Sequence, residues 1–159
     1  MYKGVRIMKE KVNVYELEKH DNLPQLIKVD SVFSRRNLLD SPELIYEFLC
    51  ENFRLDKKTE EFAYLLAMNR KCKVIGLFEI AHGGMTEANL PMPSIFQRVM
   101  LCGASDMVVV HNHPSGDVTP SQADRVVYKQ IKKLADMIGV NLLDFIIVGA
   151  TYYSFRKSE

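Results

Sequence analysis

The sequence predicts an α/β fold: a single layered domain in which a mixed β-sheet is flanked by helices. Short apolar, β-branched runs alternate with amphipathic segments, the pattern of a sheet covered by helices. Two amphipathic segments open with a hydroxyl residue followed by proline, a typical helix start, at Ser41-Pro42 and Thr119-Pro120. The chain has 159 residues, 47% of them hydrophobic, which is enough for one core of ordinary size.

The N-terminal half begins with strands and a helix. Residues 11–33 contain short strand-like pieces and no repeat. A first helix should then be capped by Ser41 and opened by Pro42, because one side of the following segment is apolar. The residues of that side are Leu44, Ile45, Phe48 and Leu49.

The remaining elements should alternate between strands and helices. We expect strands at about 61–68, 73–81, 107–113, 141–148 and 152–155, and helices at about 94–102 and 119–138.

The run after Met107 ends in two histidines. His111 and His113 are two residues apart, so on a strand both imidazoles point to the same side while Asn112 points away. Pro114 removes a backbone donor and ends the strand. The spacing therefore offers two nitrogen ligands to one metal ion.

A carboxylate follows on the next predicted helix. We predict Thr119 as its N-cap and Gly139 as its C-terminal stop. Its apolar side chains recur at steps of four, three and four, at Val127, Ile131, Leu134 and Ile138. Extending this stripe backwards reaches Asp124 and then Ser121. A carboxylate on a buried face needs a cation or several hydrogen-bond donors, and the two histidines suggest a cation.

Two imidazoles and one carboxylate form the ligand set of a catalytic zinc site, which keeps one position open. Two simpler interpretations remain open. Asp124 could cap its own helix, and the histidine pair could be an ordinary polar strand end.

The pattern His111-x-His113, seven residues, Ser121, two residues, Asp124 resembles the signature of the JAMM (JAB/MPN-plus) zinc metalloproteases. The run His-Asn-His-Pro-Ser-Gly is similar to the RadC-like branch in particular. Runs near Ile95-Phe96, Cys102-Gly103 and Tyr153-Ser154 agree with that branch. The resemblance implies a JAB/MPN fold at 41–159, preceded by an N-terminal extension at 1–40.

The resemblance also implies roles for five residues. His111, His113 and Asp124 would hold one Zn²⁺ per chain, Glu61 would be the general base of amide hydrolysis, and Ser121 would donate a hydrogen bond to the oxyanion.

Glu61 is chosen over Glu60 because the family places the acid directly before a Phe-containing strand. Alternation adds support, since Glu61 shares a strand face with small and apolar residues. Without the resemblance, the sequence does not separate Glu61 from Glu51, Glu79 or Glu87.

The chain departs from the family pattern at three places. Met92-Pro93-Ser94 stands where a Pro-Arg-Glu run is usual, which puts in doubt any substrate contact made by those charges. Phe145 follows Asp144 where a histidine is usual. The helix-hairpin-helix region that often precedes the domain is not expected here, which weakens an inference of DNA binding.

Composition limits the function classes. A net charge of +1 argues against a strong nucleic-acid surface, although Arg125, Lys129, Lys132 and Lys133 should share the outer side of one helix. Three widely spaced cysteines suggest reduced thiols. Without an apolar run of about 20 residues or a signal-peptide core, we expect a soluble, cytoplasmic protein that does not enter membranes.

Three hypotheses follow. The first is a zinc-dependent metallopeptidase or isopeptidase acting on a protein or peptide. The others are a non-catalytic JAB interaction module and a nucleic-acid-acting protein associated with DNA repair. The sequence identifies no scissile bond, partner chain or oligomeric state.

Overall fold

A computed structural model describes residues 9–84 and 90–159. The strands in this part of the chain are β1 (Glu10–His20), β2 (Leu23–Ser34), β3 (Phe62–Met68), β4 (Val74–His82), β5 (Asp106–Asn112), β6 (Asn141–Val148) and β7 (Tyr152–Ser154). The helices are α1 (Pro42–Phe53), α2 (Met92–Leu101), α3 (Gln122–Met137) and α4 (Phe155–Ser158). None of these helices is long and apolar enough to cross a membrane.

The strands form one seven-stranded sheet in the order β2-β1-β4-β3-β5-β6-β7. The pairs β1/β4 and β5/β6 are parallel, and the other pairs are antiparallel. The sheet is therefore mixed, and the predicted α/β class is confirmed. Because α3 connects the parallel neighbours β5 and β6, its first turn follows the end of β5, where the two histidines lie.

The core lies on both faces of the sheet. Leu65 of β3 and Val109 of β5 pack with α2 and α3 on one face. Their neighbours Leu66 and Val110 pack with α1 on the other face. Because successive side chains alternate, these central strands are buried on both sides, which explains their nearly continuous apolar sequence.

The predicted start of α1 is confirmed. Pro42 is the first residue of the helix, and the Ser41 hydroxyl accepts a hydrogen bond from the backbone N–H of Leu44 at 3.3 Å. The strand pieces predicted within 11–33 are longer than expected, because β1 and β2 form a continuous hairpin. Its turn places Asp21 and Asn22 at φ of 48° and 65°, which suits a two-residue turn. Residues 1–8 of the predicted extension lie outside the described residues.

The predicted start of α3 was wrong. Its N-cap is Ser121 and not Thr119. Two reciprocal hydrogen bonds set this start: the Ser121 hydroxyl accepts from the Asp124 backbone, and the Asp124 carboxylate accepts from the Ser121 backbone. The apolar stripe also ends earlier than predicted, since Leu134 is half-buried and Ile138 is 44% exposed.

The other boundaries differ by only a few residues. Helix α2 begins at Met92, two residues before the predicted start, and β7 is followed by the short helix α4. Gly139, the predicted stop of α3, has a φ of 73°, the left-handed conformation that ends many helices.

The loop between β5 and α3 packs closely on the turn between β6 and β7. The Gly116 carbonyl accepts a hydrogen bond from the Ala150 N–H at 3.1 Å. A Cβ atom on Gly149 would lie 2.4 Å from that carbonyl oxygen and 2.9 Å from a methyl of Val118. Only glycine therefore fits at 149, and this contact holds the loop that carries His113.

We expect Gly149→Ala to lower the free energy of unfolding by about 1–3 kcal/mol, because the added methyl overlaps backbone. Chemical denaturation of the metal-free protein measures the change. Ala150→Gly, in the same turn, is the control and should cost less than about 1 kcal/mol. Equal stability of Gly149→Ala and the parent would show that the loop does not need this contact.

Candidate metal centre

Three side chains meet where β5 ends and α3 begins. His111 is the last residue of β5 that pairs with β3, and His113 follows the strand. Asp124 is in the first turn of α3. One ligand atom from each lies within 4.8 Å of the others. His111 is fully buried and Asp124 is 2% exposed. The structure thus brings together the three residues predicted as metal ligands.

The Asp124 carboxylate faces both imidazoles. Its Oδ1 lies 3.1 Å from His111 Nε2, and its Oδ2 lies 3.3 Å from His113 Nε2. Two ligand atoms about 2.0–2.1 Å from a tetrahedral zinc ion are themselves about 3.3 Å apart. Each imidazole nitrogen therefore lies about as far from a carboxylate oxygen as two ligands of one zinc ion lie from each other.

The buried imidazole of His111 supports a metal more directly. Within residues 9–84 and 90–159, neither of its ring nitrogens has a hydrogen-bond partner, although Nε2 lies 3.1 Å from Asp124 Oδ1. Leaving a buried polar atom unpaired is costly, and such atoms in native proteins call for an explanation. A cation between His111 Nε2 and Asp124 Oδ1 would satisfy both of these atoms, so this donor set fits a metal ion.

His113 is oriented by the loop that carries it. Its Nδ1 donates to the Asp117 carbonyl at 2.7 Å, and its backbone N–H donates to the Val148 carbonyl at 2.8 Å. A proton fixed on Nδ1 leaves the lone pair of Nε2 facing Asp124. Hydrogen bonds of this kind are typical partners of metal-binding histidines.

The carboxylate of Asp124 both caps α3 and faces the histidines. Its Oδ2 accepts from the Ser121 N–H at 2.7 Å. Burial alone would raise the pKa of Asp124, but His111, His113 and the Ser121 N–H bring it well below its usual range. Asp124 therefore does cap its own helix. The same carboxylate also faces both imidazoles, so the cap and a metal site are compatible.

Glu61 lies beside His113 across the β3/β5 pair. The last paired residues there are Ala63 and His111. Continuing the antiparallel register by two residues places Glu61 opposite His113, on the same face as Ala63. Glu61 and His113 both line one cleft, and Glu61 is half-buried.

The competing glutamates are placed differently. Glu60 pairs with His82 at 2.6 Å and its side chain is 65% exposed. Glu51, on α1, pairs with Arg35. Glu79 lies beside Tyr64 in another cleft. Glu87 is outside the described residues. The structure thus brings Glu61 to the histidines, while its catalytic role stays a prediction.

Ser121 lies at the mouth of the same cleft. It is exposed, contrary to the expectation that it shares the buried stripe, because it is the N-cap and not a helix residue. Its Oγ accepts the Asp124 N–H at 3.1 Å. The hydroxyl proton is therefore available to donate into the cleft.

The cleft has a volume of about 740 Å³ and opens next to His113 and Asp124. Its walls are mainly small or acidic. The residues are Thr59, Glu60, Glu61, Gly83, Gly84, His113, Pro114, Ser115, Ser121, Ala123 and Asp124.

Two neighbours of the site were missed or left undecided by the sequence. Phe145, at the position where the family pattern has histidine, packs against His111 with the ring centroids 5.5 Å apart. Asn112 is 1% exposed, and its side chain bonds to the backbone on either side of Glu61. The sequence showed only that Asn112 points away from the histidines.

Comparison with known proteins gives a family match. Residues 39–159 match the model described as RadC-like JAB domain. A UPF0758 protein of Carboxydothermus hydrogenoformans is 34% identical over 119 residues, covering 75% of this chain and 52% of the relative. A UPF0758 protein of Thermotoga maritima is 33% identical over 120 residues, covering 75% and 53%. The chain spans about half the length of these relatives, and their names state no activity.

We expect Asp124→Asn to weaken zinc binding by more than the roughly 10–100-fold that follows loss of a ligand's hydrogen-bond partner. An asparagine keeps an acceptor for the Ser121 N–H, so the helix cap survives while the charge is lost. Competition titration with a zinc chelator measures the affinity. His82→Gln, which changes an exposed histidine outside the site, is the control. Unchanged zinc affinity in Asp124→Asn would remove this residue from the ligand set.

Zinc binding should also depend on pH. The Asp124 carboxylate raises the pKa of His113 above its usual value of 6.5. Below that raised pKa, the metal-free protein holds a proton on His113, and zinc must displace it. Affinity should therefore increase with pH until the pH passes the raised pKa of His113, and then level off.

Calorimetry in two buffers with different ionisation enthalpies counts the protons released. The pairing of His113 with Asp124 stabilises the metal-free protein only while His113 is protonated. This contribution therefore disappears as the pH rises through the raised pKa of His113. A zinc affinity that already levels off below pH 6.5 would contradict the pairing.

Proposed function

Because the chain belongs to the RadC-like JAB domain family, we propose that it is a zinc-dependent hydrolase of amide bonds, of the metallopeptidase or isopeptidase type. The observation that carries this proposal is the buried imidazole of His111, which has no hydrogen-bond partner among the described residues and lies 3.1 Å from the Asp124 carboxylate. Burying an imidazole and a carboxylate together is costly, and a cation between the two groups would offset that cost.

His111, His113 and Asp124 would hold one zinc ion per chain. Three protein ligands leave a coordination position open, as catalytic zinc sites do. When bound, zinc would lower the pKa of a coordinated water to about 7 and polarise a substrate carbonyl.

Glu61 would act as the general base. Its position opposite His113, at the wall of the cleft, places a carboxylate within the space that a substrate would occupy. Glu61 would accept a proton from the attacking water and then deliver it to the leaving nitrogen. One carboxylate serves both steps because the proton it gains is the one it returns.

Ser121 would stabilise the oxyanion. Its Oγ already accepts a backbone hydrogen bond, so its own proton can be donated to the oxygen on which charge develops. The N-terminus of α3 adds a favourable dipole at the same place.

A peptide or protein is the substrate class that the cleft supports. Its small walls leave room for an extended backbone, and its carboxylates Glu60, Glu61 and Asp124 disfavour a phosphate chain. Phosphodiester hydrolysis often uses two metals. Within 9–84 and 90–159, His111, His113 and Asp124 are the one group spaced to hold a metal ion.

A nucleic-acid role and a purely structural module are the competing proposals. Arg125, Lys129, Lys132 and Lys133 are exposed on α3 as predicted, but away from the cleft lining. Exposed lysines of this kind are ordinary solvated surface. A structural module would have no need of the Glu61 and Ser121 positions.

The free cysteines Cys50, Cys72 and Cys102 support the cytoplasm as the proposed location of the protein.

We expect Glu61→Gln to retain zinc and to lose about 10²–10⁴-fold in turnover, because a glutamine cannot move the proton. A pool of quenched fluorogenic peptides, assayed with and without zinc, measures cleavage. Glu60→Gln is the matched control and should cleave like the parent. Zinc-dependent cleavage that survives in Glu61→Gln and fails in Glu60→Gln would shift the base by one residue. No zinc-dependent cleavage of peptides or of isopeptide-linked chains would reject the proposed function.

A further inference from the structure

Asn112, between the two histidine ligands, forms a bridge to the segment that carries Glu61. Its Oδ1 accepts from the Phe62 N–H at 2.7 Å, and its Nδ2 donates to the Glu60 carbonyl at 2.9 Å. We propose that Asn112 is a positioning residue, which fixes the Glu61 carboxylate relative to the metal ligands. The proposal rests on the proposed function, because it takes Glu61 as the general base.

The bridge lies where the β-ladder stops. Backbone pairing between β3 and β5 ends at Ala63 and His111. One residue further, the Asn112 amide takes the place of a strand backbone and offers one acceptor and one donor to β3. The ladder is thus prolonged by a side chain past the point at which the two backbones pair.

The opposite side of the same segment is held as well. The Glu61 carbonyl accepts from the Gly83 N–H at 2.8 Å, just after β4 ends. The Glu60 carbonyl and the Phe62 N–H are bonded toward β5, and the Glu61 carbonyl is bonded toward β4. The backbone of Glu61 is therefore held from both sides although it precedes the first residue of β3.

The two bonds of Asn112 determine each other. The Phe62 N–H can only donate and the Glu60 carbonyl can only accept, so a single orientation of the amide serves both. Because Asn112 is 1% exposed, water does not readily replace either partner. His111 and His113 are covalent neighbours of Asn112, so one residue links the spacing of the ligands to the placement of Glu61.

A positioning role and a purely structural role of Asn112 predict different results. If Asn112 only satisfied its own amide, its replacement would lower stability and leave Glu61 in place. If Asn112 positions Glu61, its replacement moves that carboxylate while the three ligands remain.

The test uses the full chain loaded with Co²⁺, a paramagnetic substitute for zinc, and glutamate labelled with ¹³C at the side-chain carboxyl. The Glu61 signal is assigned by its disappearance in Glu61→Gln. In the parent, the Glu61 carboxyl signal should be strongly broadened by the nearby ion. In Asn112→Leu, cobalt should still bind and this broadening should be lost.

Hydrogen exchange gives a readout without metal. In Asn112→Leu, the Phe62 amide proton should exchange about tenfold faster, as expected for loss of one hydrogen bond. Val110→Ala is the matched control, because the Val110 side chain is fully buried on the same face of β5 and, being apolar, forms no hydrogen bond to Glu60 or Phe62. This control should retain both the broadening and the Phe62 protection.

A second variant covers the case in which Asn112→Leu does not fold. Asn112→Asp keeps the acceptor for Phe62 and loses the donor to Glu60, so the Phe62 protection should remain while the Glu61 broadening is lost. Full broadening in either folded variant would overturn the proposal, as would unchanged Phe62 exchange in a folded Asn112→Leu.

Failure of the proposed function would be distinct. A parent protein that binds no cobalt would reject the metal centre. A protein that shows the predicted loss of broadening, but in which Glu61→Gln still cleaves peptides, would reject the base and leave the contact of Asn112 with the Glu61 segment established.

Discussion

The buried Asp124 carboxylate is the constraint on which the rest of the site depends. At 2% exposure it accepts a backbone hydrogen bond that starts α3, and it faces two imidazoles within 3.3 Å. The hydrogen bond to Ser121 leaves His111 without a hydrogen-bond partner in the part of the chain that the structure describes, so the helix cap accounts for only part of the arrangement. A cation would complete it, because it would compensate the carboxylate charge and accept a lone pair from each imidazole. The same side chain therefore fixes where α3 begins and where a metal would bind.

The sheet supplies the rest of the site from two central strands. Strand β5 carries the histidines, and antiparallel β3 brings Glu61 to them from a position fifty residues away. Both strands are buried on two faces, so a slip of either in register would disturb close packing in both cores. The parallel connection from β5 to β6 then places the start of α3 over the ends of the strands. Side chains on such rigid elements need little rearrangement to act together.

Local patterns in the sequence predicted much of this arrangement. Ser41 and Pro42 start α1 as expected, and the period of two put His111 and His113 on one side. The start of α3 was misplaced because Thr119 and Ser121 both suit a cap, and only the carboxylate of Asp124 decides between them. The length of the β1/β2 hairpin depends on pairing between the strands, which the individual pieces do not show. Asn112 was overlooked for a similar reason, because its partners Glu60 and Phe62 are distant in sequence. It bonds to their backbone groups, which every residue type except proline offers in the same way, so the side chains at these positions give no signal. Glu61 could be chosen only through the family resemblance.

Zinc X-ray absorption spectroscopy of the zinc-loaded protein tests the central claim most directly. The account predicts one zinc per chain in a shell of nitrogen and oxygen atoms at about 2.0–2.1 Å, with the multiple scattering of two imidazoles. It predicts no sulphur, because Cys50, Cys72 and Cys102 are outside the group formed by His111, His113 and Asp124. A shell containing sulphur at about 2.3 Å, or a spectrum that Asp124→Asn leaves unchanged at full zinc content, would contradict the account.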